Sequence, residues 1–159
     1  MVTKKSIFHL FHKKEKILCI LAQLILLLWF LLDMTGFYIG EHCLVTKSYK
    51  EDGLFFLIYL VTILLFLLKE SIGKWISTVW LGMWFLTQFI SHEWYTIFHN
   101  GFMGTLESKF QNFSGNIQWL TIEGIYIPDL YHTILHGLIL WALISTVMYI
   151  MKNKKNSQY

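Results

Sequence analysis

The sequence has no arginine, a single proline and few charges: Asp, Glu, Lys and Arg together make up 14% of its 159 residues. A soluble domain of ordinary composition is about one quarter charged. Hydrophobic residues make up 55% and aromatic residues 18% of the chain. Both values argue against a water-soluble fold and indicate a protein whose main surroundings are lipid.

Cysteine is also scarce, with only Cys19 and Cys43 present and no Cys-x-x-Cys motif. The absence of that motif excludes the membrane enzymes that form disulfides through such a pair. The two thiols are predicted near opposite ends of one helix, where 24 positions span about 36 Å. A disulfide needs Cα atoms within about 7 Å, so we expect no bond between them.

Four apolar runs without a charged side chain are present, at residues 17–32, 53–68, 75–91 and 137–151. They are continuous and rich in leucine, which predicts helices and excludes the alternation of a membrane β-strand. With flanking residues each run reaches the length needed to cross about 30 Å of hydrocarbon. We predict an all-α fold, a bundle of four transmembrane helices forming one integral membrane domain over residues 1–159. The predicted spans are residues 17–39, 53–70, 75–97 and 129–151.

The lysines predict the orientation of these helices. Ten of the 13 lysines fall in the N-terminal segment, the turn between spans two and three, and the C-terminal tail. Positive residues concentrate on the cytoplasmic side of membrane proteins. We therefore expect a multi-pass protein of the cell membrane with both termini in the cytoplasm. The net charge of +3 is explained by this bias, so the lipid bilayer is the expected partner and nucleic acid is not.

The second outer loop, residues 100–128, is too long and too apolar to be a free linker. Turn residues bound a stretch from Thr105 to Phe113 that is predicted to form a short surface helix. The stretch from Gln118 to Ile127 alternates in polarity, which predicts extended backbone. We expect this partly ordered loop to fold over the outer end of the bundle as a lid.

A Gly-x-x-x-Gly motif, Gly36 to Gly40, lies at the outer end of the first span. On a helix this spacing lets a second helix approach closely, although glycines at this spacing also suit a helix end. The motif suggests a surface for a homo-oligomer or for a partner membrane protein.

Polar residues cluster at the outer ends of spans three and four. His92 and His99 are seven residues apart, so they share a face if the third helix continues that far. Spacings of three and four place Asp129, His132 and His136 on one face of the fourth helix. Candidate metal ligands are His92, His99, His132, His136, Asp129 and Asp33, the last near the outer end of span one. Glu93 is the candidate general base for a metal-bound water.

Several functions remain open on this evidence. Histidines one turn apart with carboxylates are typical ligands of a divalent metal such as Zn or Fe, for redox or hydrolytic chemistry. Haem held between an imidazole of span three and one of span four is a second possibility. The alternative is a non-enzymatic accessory, sensor or subunit protein, in which the cluster is structural or responds to pH. The spacing identifies no family and does not decide whether the protein is an enzyme.

Overall fold

The computed structural model describes the backbone of residues 4–156 and the side chains of residues 14–152. The chain is mostly helical, as predicted. Its elements in order are α1 (Lys4–Thr35), β1 (Phe37–Ile39), β2 (His42–Val45), α2 (Tyr49–Leu68), α3 (Glu70–Ser91), α4 (Glu93–Phe98), α5 (Leu106–Phe113) and α6 (Leu130–Asn156).

The four long helices pack in a ring, in which α1 contacts α2 and α6, and α3 contacts the same two helices. The core between them is mainly aromatic and aliphatic. Its largest buried members include Phe30, Tyr59, Trp84, Tyr131 and Ile139. Each helix contributes an apolar stripe to this core, which fixes how the four helices are rotated against one another.

Within the described residues, three helices are long and apolar enough to cross a membrane: residues 14–35, 49–68 and 130–152. Large apolar side chains cover their outward faces, for example Leu28, Leu57 and Ile144. A surface of this kind is stable in lipid rather than in water. The structure therefore supports the prediction of a membrane protein.

The junction between α2 and α3 is very tight. Only Lys69 separates the two helices, and its carbonyl accepts a hydrogen bond of 2.8 Å from the backbone N–H of Gly73. Gly73 lies directly against the backbone of Leu65 and Phe66. One turn further on, the Ser77 hydroxyl donates to the carbonyl of Thr62 at 3.3 Å. Small residues thus allow α3 to pack closely along α2.

The first predicted span extends too far at its outer end. Helix α1 ends at Thr35, because Gly36 has a φ of +73°, a left-handed conformation that ends a helix. Gly40 also has a positive φ of +61°, and the two glycines bound strand β1 of a hairpin with β2. The interpretation of Gly36 and Gly40 as a helix-packing motif is therefore wrong: they shape a hairpin.

The third predicted span also differs in its outer part. Helix α3 ends at Ser91, and His92 has φ −127° and ψ −69°, which is not helical. The chain then turns into the short helix α4, which ends at Phe98 and is followed by His99 with a left-handed φ of 56°. The condition for placing His92 and His99 on one helical face is thus not met.

The outer loop is held by specific contacts. Helix α5 confirms the predicted surface helix, and the Thr105 side chain caps it by accepting from the N–H of Ser108 at 3.1 Å. The Tyr95 hydroxyl donates to the carbonyl of Gly104 and accepts from the N–H of Met103, both at 2.8 Å. Residues 118–127 contain one isolated bridge, Ile122 to Ile125, and no strand.

Candidate functional site

Asp129 is the most completely bonded polar residue of the outer end. It is fully buried and immediately precedes α6. Its Oδ1 accepts from the backbone N–H of His132 at 2.9 Å, which caps the helix. Its Oδ2 accepts from the side-chain amide of Asn116 at 2.6 Å. Burial raises the pKa of Asp129, but the hydrogen bonds from His132 and Asn116 together outweigh this effect, so the net pKa lies below its usual value.

Asp129 also orients the imidazole of His132. The Nδ1 of His132 lies 2.7 Å from the Asp129 Oδ1, so a carboxylate there requires the proton on Nδ1. The Nε2 is then the basic nitrogen of the ring. This is the arrangement by which a carboxylate fixes the tautomer of a histidine that acts as a base.

A second histidine stacks on the first. The rings of His92 and His132 have centroids 4.3 Å apart and planes inclined by 28°. His92 shares a hydrogen bond of 2.8 Å between its Nδ1 and the Tyr126 hydroxyl. Phe113 of α5 packs against both imidazoles. The centroid of its ring lies 5.3 Å from that of His92 and 5.0 Å from that of His132. The outer loop therefore covers the histidine pair.

His92 is held in its neutral form. Burial places the pKa of His92 well below its ordinary value, and the nearby His132, Lys109 and His136 lower it further. A charge on one imidazole of the stack opposes a charge on the other, because like charges at short distance repel. The pair thus favours one protonated ring at most.

Glu93 and His136 form a separate pair. A hydrogen bond links the Glu93 Oε1 to the His136 Nδ1, and the His136 Nε2 lies 3.3 Å from the carbonyl of Phe85. The second oxygen of Glu93 is buried and has no hydrogen-bond partner among the described residues. Both ring nitrogens of His136 are thus occupied.

A cavity of about 540 Å³ lies between the outer ends of the four long helices. His92 and His132 form part of its wall, whereas Glu93 and His136 do not contribute to the lining. Its other polar lining residues include Asp33, Ser48, Glu51, Asp52, Gln88, Lys109 and Asn112. Aromatic side chains of Phe30, Phe55, Trp84 and Tyr131 line the rest. The cavity thus offers charged groups and one basic imidazole to a small ligand.

The structure therefore brings together three of the predicted site residues, His92, His132 and Asp129. Asp33 is 5% exposed and lines the same cavity from the last turn of α1. His136 and Glu93 pair with each other, and His99 is exposed at the end of α4. Among the residues with described side chains, no group of three or more His, Cys, Asp or Glu is arranged to hold a metal ion.

The stacking geometry explains why the histidine pair does not form a metal site. A metal ion lies in the plane of each imidazole that binds it, about 2 Å from the nitrogen. Two rings 4.3 Å apart and inclined by 28° have planes that do not meet at that distance. Haem needs the two imidazoles on opposite sides of the macrocycle, and these rings contact each other directly.

Sequence reasoning missed several residues of the site. Asn116, Tyr126 and Lys109 come from the outer loop, and Asp52 comes from the first turn of α2. The three loop positions carry no periodic signal, and Asp52 stands at the polar start of a helix, where the apolar pattern has not begun. The alternation of polarity from Gln118 to Ile127 is the only sequence signal in this region, and it predicts extended backbone rather than these contacts.

No protein-family model matches this chain. No curated protein and no solved structure matches it significantly.

Acidification is expected to destabilise the fold through His92. Its folded pKa lies below its unfolded value, which is about 6.5, so the unfolded chain binds the proton first. Above that pH His92 is neutral in both states and does not lower the free energy of unfolding. As the pH falls toward the folded pKa, the unfolded chain gains the proton and the free energy of unfolding decreases. In detergent, the melting temperature should fall between pH 7.5 and pH 5, and the fall should be smaller in His92→Gln. The control is His99→Gln, because the side chain of His99 is exposed. An equal fall in His92→Gln and in the wild type would contradict the assignment.

Proposed function

We propose that the protein is a four-span membrane protein with an acid–base site that opens on the outer side. The observation that carries the proposal is the Asp129–His132 pair: a buried carboxylate holds one imidazole nitrogen and leaves the other as a base beside a polar cavity. In this role His132 takes a proton from a water or hydroxyl group bound in the cavity, and Asp129 stabilises the resulting imidazolium.

The fourth span in this proposal is α3. Its 22 residues extend about 33 Å, which is sufficient to cross the hydrocarbon core. Its outward face is apolar and includes Val79, Met83 and Leu86, each about 60% exposed. Tryptophan, serine and glycine lower the mean hydropathy of α3. Because α3 packs between α2 and α6 in the ring of helices, we expect it to lie at the same depth in the membrane as these two helices.

The lysine distribution supports the direction of the spans, because ten of the 13 lysines fall in the segments that we place in the cytoplasm. On the cytoplasmic side in this proposal, α1, α3 and α6 are joined by polar contacts. Lys16 and Tyr149 both bind Glu70, and Lys152 pairs with Glu15. The histidine pair and its cavity lie at the other end of the same helices, so they face outward.

Chemical modification tests the assignment of His132. Diethylpyrocarbonate reacts with an unprotonated imidazole nitrogen, so the Nε2 of His132 should react in the purified wild-type protein. In Asp129→Asn the amide nitrogen can take the place of Oδ1 and donate to Nδ1, which moves the ring proton to Nε2 and removes the acceptor of the His132 backbone N–H. We expect the rate at His132 to fall about tenfold, as measured by mass spectrometry of peptides.

His99, which is exposed, provides the internal control and should react equally in both proteins. Equal rates at His132 in the wild type and Asp129→Asn, or no reaction at His132 in either, would contradict the proposal.

A second candidate is a pH-responsive protein without enzymatic activity. The observation that favours it is the stack of His92 on His132, because protonation of both rings would separate them. In that case Asp129→Asn would shift the pH at which the two rings separate. A ligand in the cavity would take no part in the response.

A further inference from the structure

The charges that line the outer cavity are separated along its length. Asp33 and Asp52 lie at the ends of α1 and α2, close enough to His132 for their charges to interact. Lys109 of α5 interacts in the same way with His92. Because His92 and His132 are stacked, the order is carboxyl groups, two imidazoles, then ammonium. The cavity is thus acidic at one end and basic at the other.

No ion pair joins the acidic end of the cavity to its basic end. Asp33 and Asp52 hydrogen-bond to each other, which requires a proton on one of the two carboxyl groups, so the pair carries one negative charge. Within the described side chains, the ion pairs join other residues, so Asp33, Asp52 and Lys109 each lack an oppositely charged group within 4.0 Å. The Lys109 ammonium lies over the ring of Tyr95, 5.1 Å from its centroid. Burial lowers the pKa of Lys109. A half-buried cation without a counter-ion is costly, and an anionic ligand would remove that cost.

An apolar groove of about 250 Å³ adjoins the basic end of the cavity. Its walls are α5 and residues 118–127, and its apolar lining includes Phe110, Leu120, Ile122 and Ile125. Lys109 and Phe113 line both the groove and the cavity. The two spaces therefore meet at the one lysine of α5.

The outer loop, which forms the walls of this groove, carries exposed apolar side chains. Phe102 is 81% exposed and Trp119 is 52% exposed. Aromatic side chains in such positions are typical of the interface between hydrocarbon and head groups. In the proposed orientation we expect the groove to lie at the level of the outer leaflet, where lipid chains can enter it.

We propose that this site binds a zwitterionic phospholipid of the outer leaflet, with its amine on Asp33 and Asp52, its phosphate on Lys109 and one acyl chain in the groove. The inference deepens the proposed function, because it names the ligand class of the same cavity. Carboxylates bind an ammonium, and a lysine binds a phosphate as a point charge. The phosphate then lies beside the histidine pair.

Three ligands separate the contributions of amine, phosphate and chain. Monoacyl phosphatidylethanolamine carries all three, monoacyl phosphatidylglycerol lacks the amine, and glycerophosphoethanolamine lacks the chain. Binding to the purified full-length protein is measured by native mass spectrometry in a nonionic detergent. We expect one molecule of the ethanolamine lipid to bind, with the other two ligands about tenfold weaker or more.

Two variants locate the phosphate. Lys109→Gln should weaken binding of the ethanolamine lipid about tenfold, whereas Lys50→Gln, an exposed lysine on the same side and outside the cavity, should leave it unchanged. Melting temperatures show that both variants are folded. The inference is overturned if the two monoacyl lipids bind equally, if glycerophosphoethanolamine binds as tightly as the lipid, or if the two lysine variants bind alike.

Failure of this inference can be distinguished from failure of the proposed function. Lipid binding is measured without proton transfer, and the diethylpyrocarbonate reaction is measured without lipid. If the lipids bind without discrimination but the reaction at His132 still depends on Asp129, only the ligand class is overturned.

Discussion

Asp129→Ala is expected to lower the free energy of unfolding by about 3 to 5 kcal/mol. The change removes the acceptor for the Asn116 amide, the His132 ring and the His132 backbone N–H at once. Each of these donors then remains in a buried site without a partner, and α6 loses its cap. The measurement is reversible unfolding in mixed detergent and dodecyl sulfate micelles.

Two variants complete this experiment. Asp129→Asn keeps the shape and one acceptor oxygen, so it should cost less, about 1 to 2 kcal/mol. Glu123→Ala, at an exposed position in the same loop, should change stability by about 0.5 kcal/mol or less. A cost for Asp129→Ala as small as that of Glu123→Ala would show that the carboxylate does not hold the loop to the helix.

Gly73→Ala should destabilise the protein by about 2 to 3 kcal/mol. A Cβ at this position would overlap the backbone of Leu65 and Phe66, and helix backbone cannot move aside as a side chain can. An alanine in a helix is otherwise favoured over glycine by about 1 kcal/mol, so the sign of the effect depends on the packing of α3 on α2.

Gly82 provides the matched control on the same helix. A Cβ there meets no atom within 4 Å, so Gly82→Ala should raise stability by about 0.5 to 1 kcal/mol. Both variants are measured by unfolding under the same conditions. Equal gains in the two variants would contradict the close packing at the α2–α3 junction.

The helical content and the apolar segments could be predicted from sequence, because lipid selects long runs such as residues 53–68 that need no knowledge of tertiary contacts. The outer ends could not. Gly36 ends α1 through its backbone conformation, and the break at His92 separates α3 from α4. Neither changes the hydrophobic pattern, so the predicted spans extended past both.

The candidate site was partly predictable for a related reason. The spacing of Asp129 and His132 follows from the helix repeat and is found in the structure. His136 is on the same helix but bonds to Glu93, since the rotation of α6 relative to α3 decides which histidine reaches the cavity. Asn116 and Lys109 come from a loop whose path depends on tertiary contacts. The division of the histidines into a stacked pair and a separate Glu93 pair was therefore not predictable from spacing.

The cavity lies on the outer side only if α3 crosses the membrane. The most direct measurement is thiol labelling of intact cells with an impermeant maleimide, using Lys69→Cys and Glu107→Cys, which are exposed on either side of α3. The background carries Cys43→Ser and retains Cys19, which is buried. We expect Glu107→Cys to be labelled in intact cells and Lys69→Cys to be labelled only after permeabilisation. Labelling of both positions from the same side would contradict this expectation.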